Sequence, residues 1–208
     1  MRTNLTIIFL LVLIPVTVFA QDSNSPIIKI PPQQGETVPN GWFKAGSNTQ
    51  NYHVGLDYIY SQSGKSSAFI ESNNSNPTGF CTLMQEINAD NYRGDRLEFS
   101  AYVKSQFVSG WAGLWMRVEG ADDFPLSFDN MEKRPVIGTS DWIEYHIVLD
   151  VPYNAIKIVF GISLHGKGKV WIDNAKIGSV GREVPVTDML QSSAYKAKNK
   201  PQNLNFEQ

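Results

Sequence analysis

From Trp42 to Ile177 the apolar residues return at every second position. Successive side chains of a strand point to opposite faces, so this period is that of a β-sheet with one face turned to a core. In "DRLEFSAYVK", Leu97, Phe99, Ala101 and Val103 share one side, and Arg96, Glu98, Ser100, Tyr102 and Lys104 the other. In "WAGLWMRVE", Ala112, Leu114, Met116 and Val118 are the core set, and Trp111, Gly113, Trp115, Arg117 and Glu119 point away. In "IKIVFGISLH", Ile156, Ile158, Phe160, Ile162 and Leu164 are core; Lys157, Val159, Gly161, Ser163 and His165 are not. No apolar face of helical period and length interrupts this pattern. Turn residues recur at intervals of about 8–12 residues, which divides the stretch into about nine strands and predicts an all-β sandwich or barrel. A tight turn is expected at "VSG", residues 108–110, between two of these strands.

The flanks differ. Residues 1–20 carry Arg2 and then an apolar run ending at Val18 and Ala20, the layout of an export signal. A membrane anchor is the alternative; the short run and the lack of a basic flank stand against it. The protein is therefore expected to be exported, periplasmic or extracellular, with no membrane association after cleavage. Residues 21–40 form a polar, Pro-rich lead-in with one edge strand at Ile27–Ile30, because Pro is confined to edges and turns. Residues 41–178 are the β-sandwich domain, and 179–208 a polar tail that regains an apolar pattern in "NLNFEQ".

The 208-residue chain has a net charge of −2 with the signs mixed. There is no basic stripe, so nucleic acid is not an expected partner. Cys81 is the only cysteine, which leaves an internal disulfide out and reads as a small buried filler.

The non-core sides carry the candidate binding residues. Tyr102, Trp111, Trp115 and Arg117 place flat rings beside planar donors, the chemistry that holds a sugar. Packing of Trp111 and Trp115 beneath loops or the lead-in is the alternative, since large aromatics mostly end buried. Asp129 and Asn130 end a strand and either rim the same face or bond local backbone. Catalytic patterns are absent. His53, His146 and His165 lack metal-ligand spacing, no G-x-S-x-G elbow is present, and nothing in the sequence brings Glu98 and Asp129 together on the non-core face as the acid pair a glycosidase needs.

The segments "NGWF", "SQSGKSSAFIES", "LMQEINADNYRGDRLEFSAYVKS", "SDWIEYHIVLDVP" and "GKGKVWIDNAKI" fall in the order seen in CenC-like carbohydrate-binding modules, which this chain resembles over residues 41–177. The middle portion resembles a subgroup of such domains found at the ends of bacterial regulators and in exported proteins. The resemblance implies a two-sheet, galactose-binding-like jelly roll whose concave face binds glycan. It also implies that Asp173 helps to ligate a structural calcium; capping of the strand by Asp173 and Asn174 is the alternative. The family's opening N-x-x-F-E strand is missing before "NGW", and the "NLNFE" pattern stands instead at Asn203–Glu207, which makes Glu207 a weak ligand candidate. The expected function is non-catalytic carbohydrate binding. A structural or protein-interaction domain, its face covered by a partner or by the tail, and a small glycan-active hydrolase are the alternatives.

Overall fold

The structure is a computed structural model, and it describes Lys29–Ile30 and residues 37–190. The export signal, the rest of the lead-in and the Asn203–Glu207 pattern lie outside the described residues.

Ten strands make the fold: β1 (Lys29–Ile30), β2 (Phe43–Ser47), β3 (Tyr52–Asp57), β4 (Ser67–Ser72), β5 (Phe80–Asn88), β6 (Arg96–Glu119), β7 (Pro125–Asp129), β8 (Val136–Asp150), β9 (Lys157–His165) and β10 (Lys169–Val180). Every pairing is antiparallel. The expected edge strand in the lead-in is present: Lys29 and Ile30 pair with Ala45 and Lys44.

The main departure from the sequence reading is β6. The turn expected at residues 108–110 does not form, and Arg96–Glu119 runs as one strand of 24 residues. It bends at Phe107, which adopts φ 52°, and passes from one layer to the other. Its first half pairs with β10 and β8, and its second half with β9 and β7. The first sheet is therefore β1-β2-β5-β9-β6-β7 and the second β3-β4-β10-β6-β8. The result is all-β and two-layered, as the period-two pattern predicts, and it is the jelly roll that the resemblance implies.

Between the layers lies the core. Leu97, Phe99, Ala101 and Val103 meet Ala112, Leu114, Met116 and Val118 there, with Ile158, Ile162 and Leu164 from β9 and Val170 and Ile172 from β10. The rings of Phe99 and Phe160 touch across it at 5.0 Å between centroids. One expected core residue is misplaced: Ile156 precedes β9 and is 50% exposed. Cys81 is buried as expected. Lys44 and Tyr52 cross the core edge as polar struts. Lys44 Nζ donates to the Tyr52 carbonyl (2.7 Å), and the Tyr52 hydroxyl donates to Gly79 O while accepting from Gly166 N, both at 3.0 Å.

After β10 the chain does not leave the sandwich. The Thr187 N–H donates to Val148 O on β8, and the Val148 N–H donates to Thr187 Oγ1. Asp188 Oδ1 then accepts from Phe128 N on β7. This strap, residues 181–190, carries the folded unit past the boundary expected at 178.

Candidate functional site

The expected binding face is the outer side of the first sheet, and the structure seals it. Trp115 is 0% and Arg117 1% exposed. This corrects the expectation of an open indole and guanidinium. The alternation is right, for Leu114 and Met116 lie in the core and Trp115 on the opposite side; what it does not reveal is a second apolar layer. Trp115 pairs with Gly161 on β9, and Gly161 with Met84 on β5. With no side chain at 161, the indole crosses β9 and its Nε1 donates to Thr82 Oγ1 at 2.6 Å. Ala45, Met84, Phe128 and Val159 surround it, and Phe43 and Leu190 pack against this cluster.

Two further features share that face. Trp111 stacks on His165 at 3.8 Å and 13°, and His165 on Phe80 at 4.9 Å and 17°. Trp111 Nε1 and Ser163 Oγ are buried there without a hydrogen-bond partner. Arg117 is bound to Glu119 Oε1 through Nε at 2.7 Å and again through Nη2. Lys157 Nζ lies 2.9 Å from both Glu119 Oε2 and Asp123 Oδ1. Burial works against the Lys157 ammonium, but its bonds to the two carboxylates outweigh this and hold its pKa above the ordinary value. This is a closed ion network, with its charges compensated internally.

The other expected site residues do not join this face. Asp129 faces the core side, opposite Met116, where its carboxylate accepts from Met131 N and forms a two-pronged pair with Arg134 (3.0 and 2.6 Å). Asn130 Oδ1 accepts from Glu132 N. Both order the turn after β7, the local-backbone alternative stated above. Tyr102 belongs to the first half of β6 and hence to the second sheet, between Asp173 and Glu144. The neighbouring Glu144 charge raises its phenol pKa.

Asp173 has a different task from metal ligation. A β-bulge between Asp173 and Lys176, with Asn174 at φ 51°, turns it toward the loop after β3. Its Oδ2 accepts from Gln62 N (2.8 Å) and Ser63 N (3.1 Å), and its Oδ1 from Asn174 N (2.7 Å). Calcium requires six to eight oxygens. Here N–H dipoles converge on the carboxylate, and no group of three His, Cys, Asp or Glu among the described residues is placed to hold a metal. The residues around Asp173 do not fit the ion. Glu207 lies outside the described residues.

An open site exists elsewhere, on the outer side of the second sheet at edge strand β3. A cleft of about 320 Å³ is lined by Thr37, His53, Gly55, Tyr58, Phe69 and Glu71, with Val54 and Leu56. Gly55 has no side chain, which lets the Phe69 ring lie over the strand; a Cβ there would come within 2.8 Å of the ring. Lys169 Nζ sits 4.2 Å from the Phe69 centroid and 4.9 Å from that of Trp171, and 3.1 Å from Glu71 Oε2. Trp171 Nε1 donates to Asp57 Oδ2 at 2.8 Å. Asp57 Oδ1 accepts from Ile59 N and Tyr60 N. The loop is thus held by Asp57 at one end and Asp173 at the other. Between them Tyr58, Ile59 and Tyr60 stand 71%, 84% and 50% exposed. None of the residues lining this cleft is among the candidates drawn from the sequence. The available signal was a run of three large residues directly after Asp57, too apolar for a turn and off the period-two pattern.

No family model matches the chain. It is 40% identical, over 169 residues, to the uncharacterised HTH-type transcriptional regulator YbfP of Bacillus subtilis strain 168; the match takes in 81% of this chain and 57% of that protein. The chain therefore spans little more than half of that relative's length. Two solved structures share the fold. The CBM22-1 xylan-binding domain of Paenibacillus barcinonensis Xyn10C superposes with a TM-score of 0.51 at 14% identity, over 70% of this chain and 89% of that one. The enzymatically active domain of bacteriophage CBA120 tailspike protein 4 gives 0.52 at 15% identity, over 72% of this chain and 20% of that one. At such identities the likeness is one of fold alone, a jelly roll shared with a xylan-binding domain and with part of a tailspike protein.

Proposed function

We propose that this domain is a non-catalytic carbohydrate-binding module that works outside the cytoplasm. Its ligand lies in the cleft on β3 and β4 and not on the Trp115 face. The observation that carries this reading is the cleft itself: Phe69 and Tyr58 offer ring surface, and His53 and Glu71 offer polar groups, at an open edge. Sugar C–H faces stack on such rings, and hydroxyls take the polar groups. The chemistry supports binding over hydrolysis. Glu71 is the one carboxylate among the lining residues, whereas glycosidic cleavage by the common routes requires two.

Affinity electrophoresis and calorimetry against soluble xylan, mannan, galactan and β-glucan test this reading. At least one is expected to bind. Tyr58→Ala and Phe69→Ala are each expected to weaken binding about tenfold, or ~1.4 kcal/mol. Tyr58 is exposed, so its loss leaves the fold intact. The reading fails if no polysaccharide binds or if both variants bind as the parent does. A protein-binding role is the second reading, and Ile59 favours it: an aliphatic side chain 84% exposed beside the cleft serves a protein surface better than a sugar.

A further inference from the structure

The charges around the β3–β4 cleft do not cancel. Glu71 is the one carboxylate that lines it, and its side chain is 47% exposed. Glu71 Oε2 lies 3.1 Å from Lys169 Nζ, but that ammonium is shared, for it also stands 3.8 Å from Asp57 Oδ2. Asp57 is held as an anion by the Trp171 indole N–H and by the amides of Ile59 and Tyr60. Two carboxylates therefore flank one ammonium, and the group of three carries one net negative charge. No Lys or Arg is among the lining residues to offset it. His53, directly opposite Glu71 on β3, is the one lining side chain able to become positive.

The rings add to this field, because an aromatic face is negative and attracts cations. The chain already makes one such contact beside the cleft: Lys169 Nζ lies 4.2 Å from the Phe69 centroid and 4.9 Å from that of Trp171. Tyr58 brings a second ring to the same cleft, and it is 71% exposed. We propose that the cleft selects a glycan bearing a positively charged amino substituent, with the ammonium beside Glu71 and the adjoining sugar ring on Tyr58, a proposal that rests on the carbohydrate reading of this cleft and adds the charge of its ligand. A neutral sugar gains ring contact and hydrogen bonds there. An ammonium adds attraction to the Glu71 carboxylate and to the Tyr58 ring. A uronate meets like charge at Glu71 and is disfavoured.

The test compares three oligosaccharides of one backbone and one length by calorimetry near pH 8, where imidazole is uncharged. The first is a neutral N-acetylglucosamine oligomer, the second its N,N,N-trimethylammonium derivative, whose charge is permanent, and the third its 6-carboxylate. The cationic oligomer is expected to bind about tenfold more tightly than the neutral one, and the carboxylate more weakly than either. Glu71→Gln keeps the shape of an exposed side chain and is expected to cut the cationic preference to within about twofold. Added salt is expected to shrink it too, because exposed charges are screened. Equal affinities, tighter binding of the carboxylate, or a preference that survives Glu71→Gln overturns the proposal. In each of those outcomes binding of the neutral oligomer leaves the carbohydrate reading standing. If none of the three binds, the charge preference is rejected, and the neutral polysaccharides named above decide the carbohydrate reading by themselves.

Discussion

A methyl group at position 161 would sit 2.3 Å from the carbonyl oxygen of Leu83 and 2.8 Å from the Cα of Met84. Both are backbone atoms of a paired strand, so no side-chain rotation relieves the clash. The same position is the gap through which the Trp115 indole reaches Thr82. Gly161→Ala is therefore expected to cost about 3 kcal/mol, the upper part of the range for overpacking a tight site. Urea denaturation checks this: the midpoint should fall while the slope stays unchanged. A midpoint equal to that of the parent would show that the strands part easily there. Position 161 also shows what the alternation conveys and what it leaves out. It places Trp115 and Gly161 on the non-core side, and the structure agrees. It is silent on whether that side meets water, because exposure depends on Phe43 and Leu190, which are far away in the chain. Arg117 is subject to the same limit. A guanidinium read as a free donor is bound to Glu119, two residues on, and a period-two pattern puts exactly such i, i+2 pairs side by side on one face.

Among the elements, the loop after β3 shows how a site is assembled from distant carboxylates. Burial pushes the Asp57 carboxyl up. The Trp171 indole N–H, the amides of Tyr60 and Ile59 and the Lys169 charge together outweigh this, and the net pKa lies below the ordinary carboxylate value. A carboxylate with a depressed folded pKa stabilises the fold above its unfolded value of ~3.9, and that contribution is lost as the pH falls through the folded value. The loop should therefore be fully anchored above about pH 4 and loosen in stronger acid. The Trp171 indole N–H resonance reports this directly. It is expected to shift with a midpoint below the usual aspartate range, and Asp57→Asn should abolish the titration. An indole resonance that stays fixed from pH 6 to the onset of acid unfolding would show that the bond does not hold the loop. Sequence reading left metal ligation and strand capping both open for Asp173. The amides it serves belong to Gln62 and Ser63, and a partner at a sequence separation of 111 carries no local signature. The β-bulge that aims it at them is equally invisible in the pattern, since Asp173-Asn174 reads as any strand end.

At the scale of the molecule, β6 is the feature that makes two layers one unit. Ser109 and Gly110 are turn formers, and reading residues 108–110 as a turn is chemically reasonable. The turn is overridden because the backbone there already has partners. Val108 pairs with Gly138 and Ala112 with Val136 on β8, and Ser109 N donates to Lys167 O between β9 and β10. The chain bends without leaving the ladder, and each half of β6 ends up in the middle of a sheet with a neighbour on either side. Neither layer can then unfold without pulling the central strand out of the other. Unfolding is expected to be a single transition in the described domain. Trp115 in the first sheet and Trp171 in the second provide separate probes, and variants retaining one or the other as the fluorescent reporter should give coincident urea curves. If the Trp171 curve preceded the Trp115 curve, the second sheet would peel away on its own, and the bend at Phe107 would act as a hinge between separable layers.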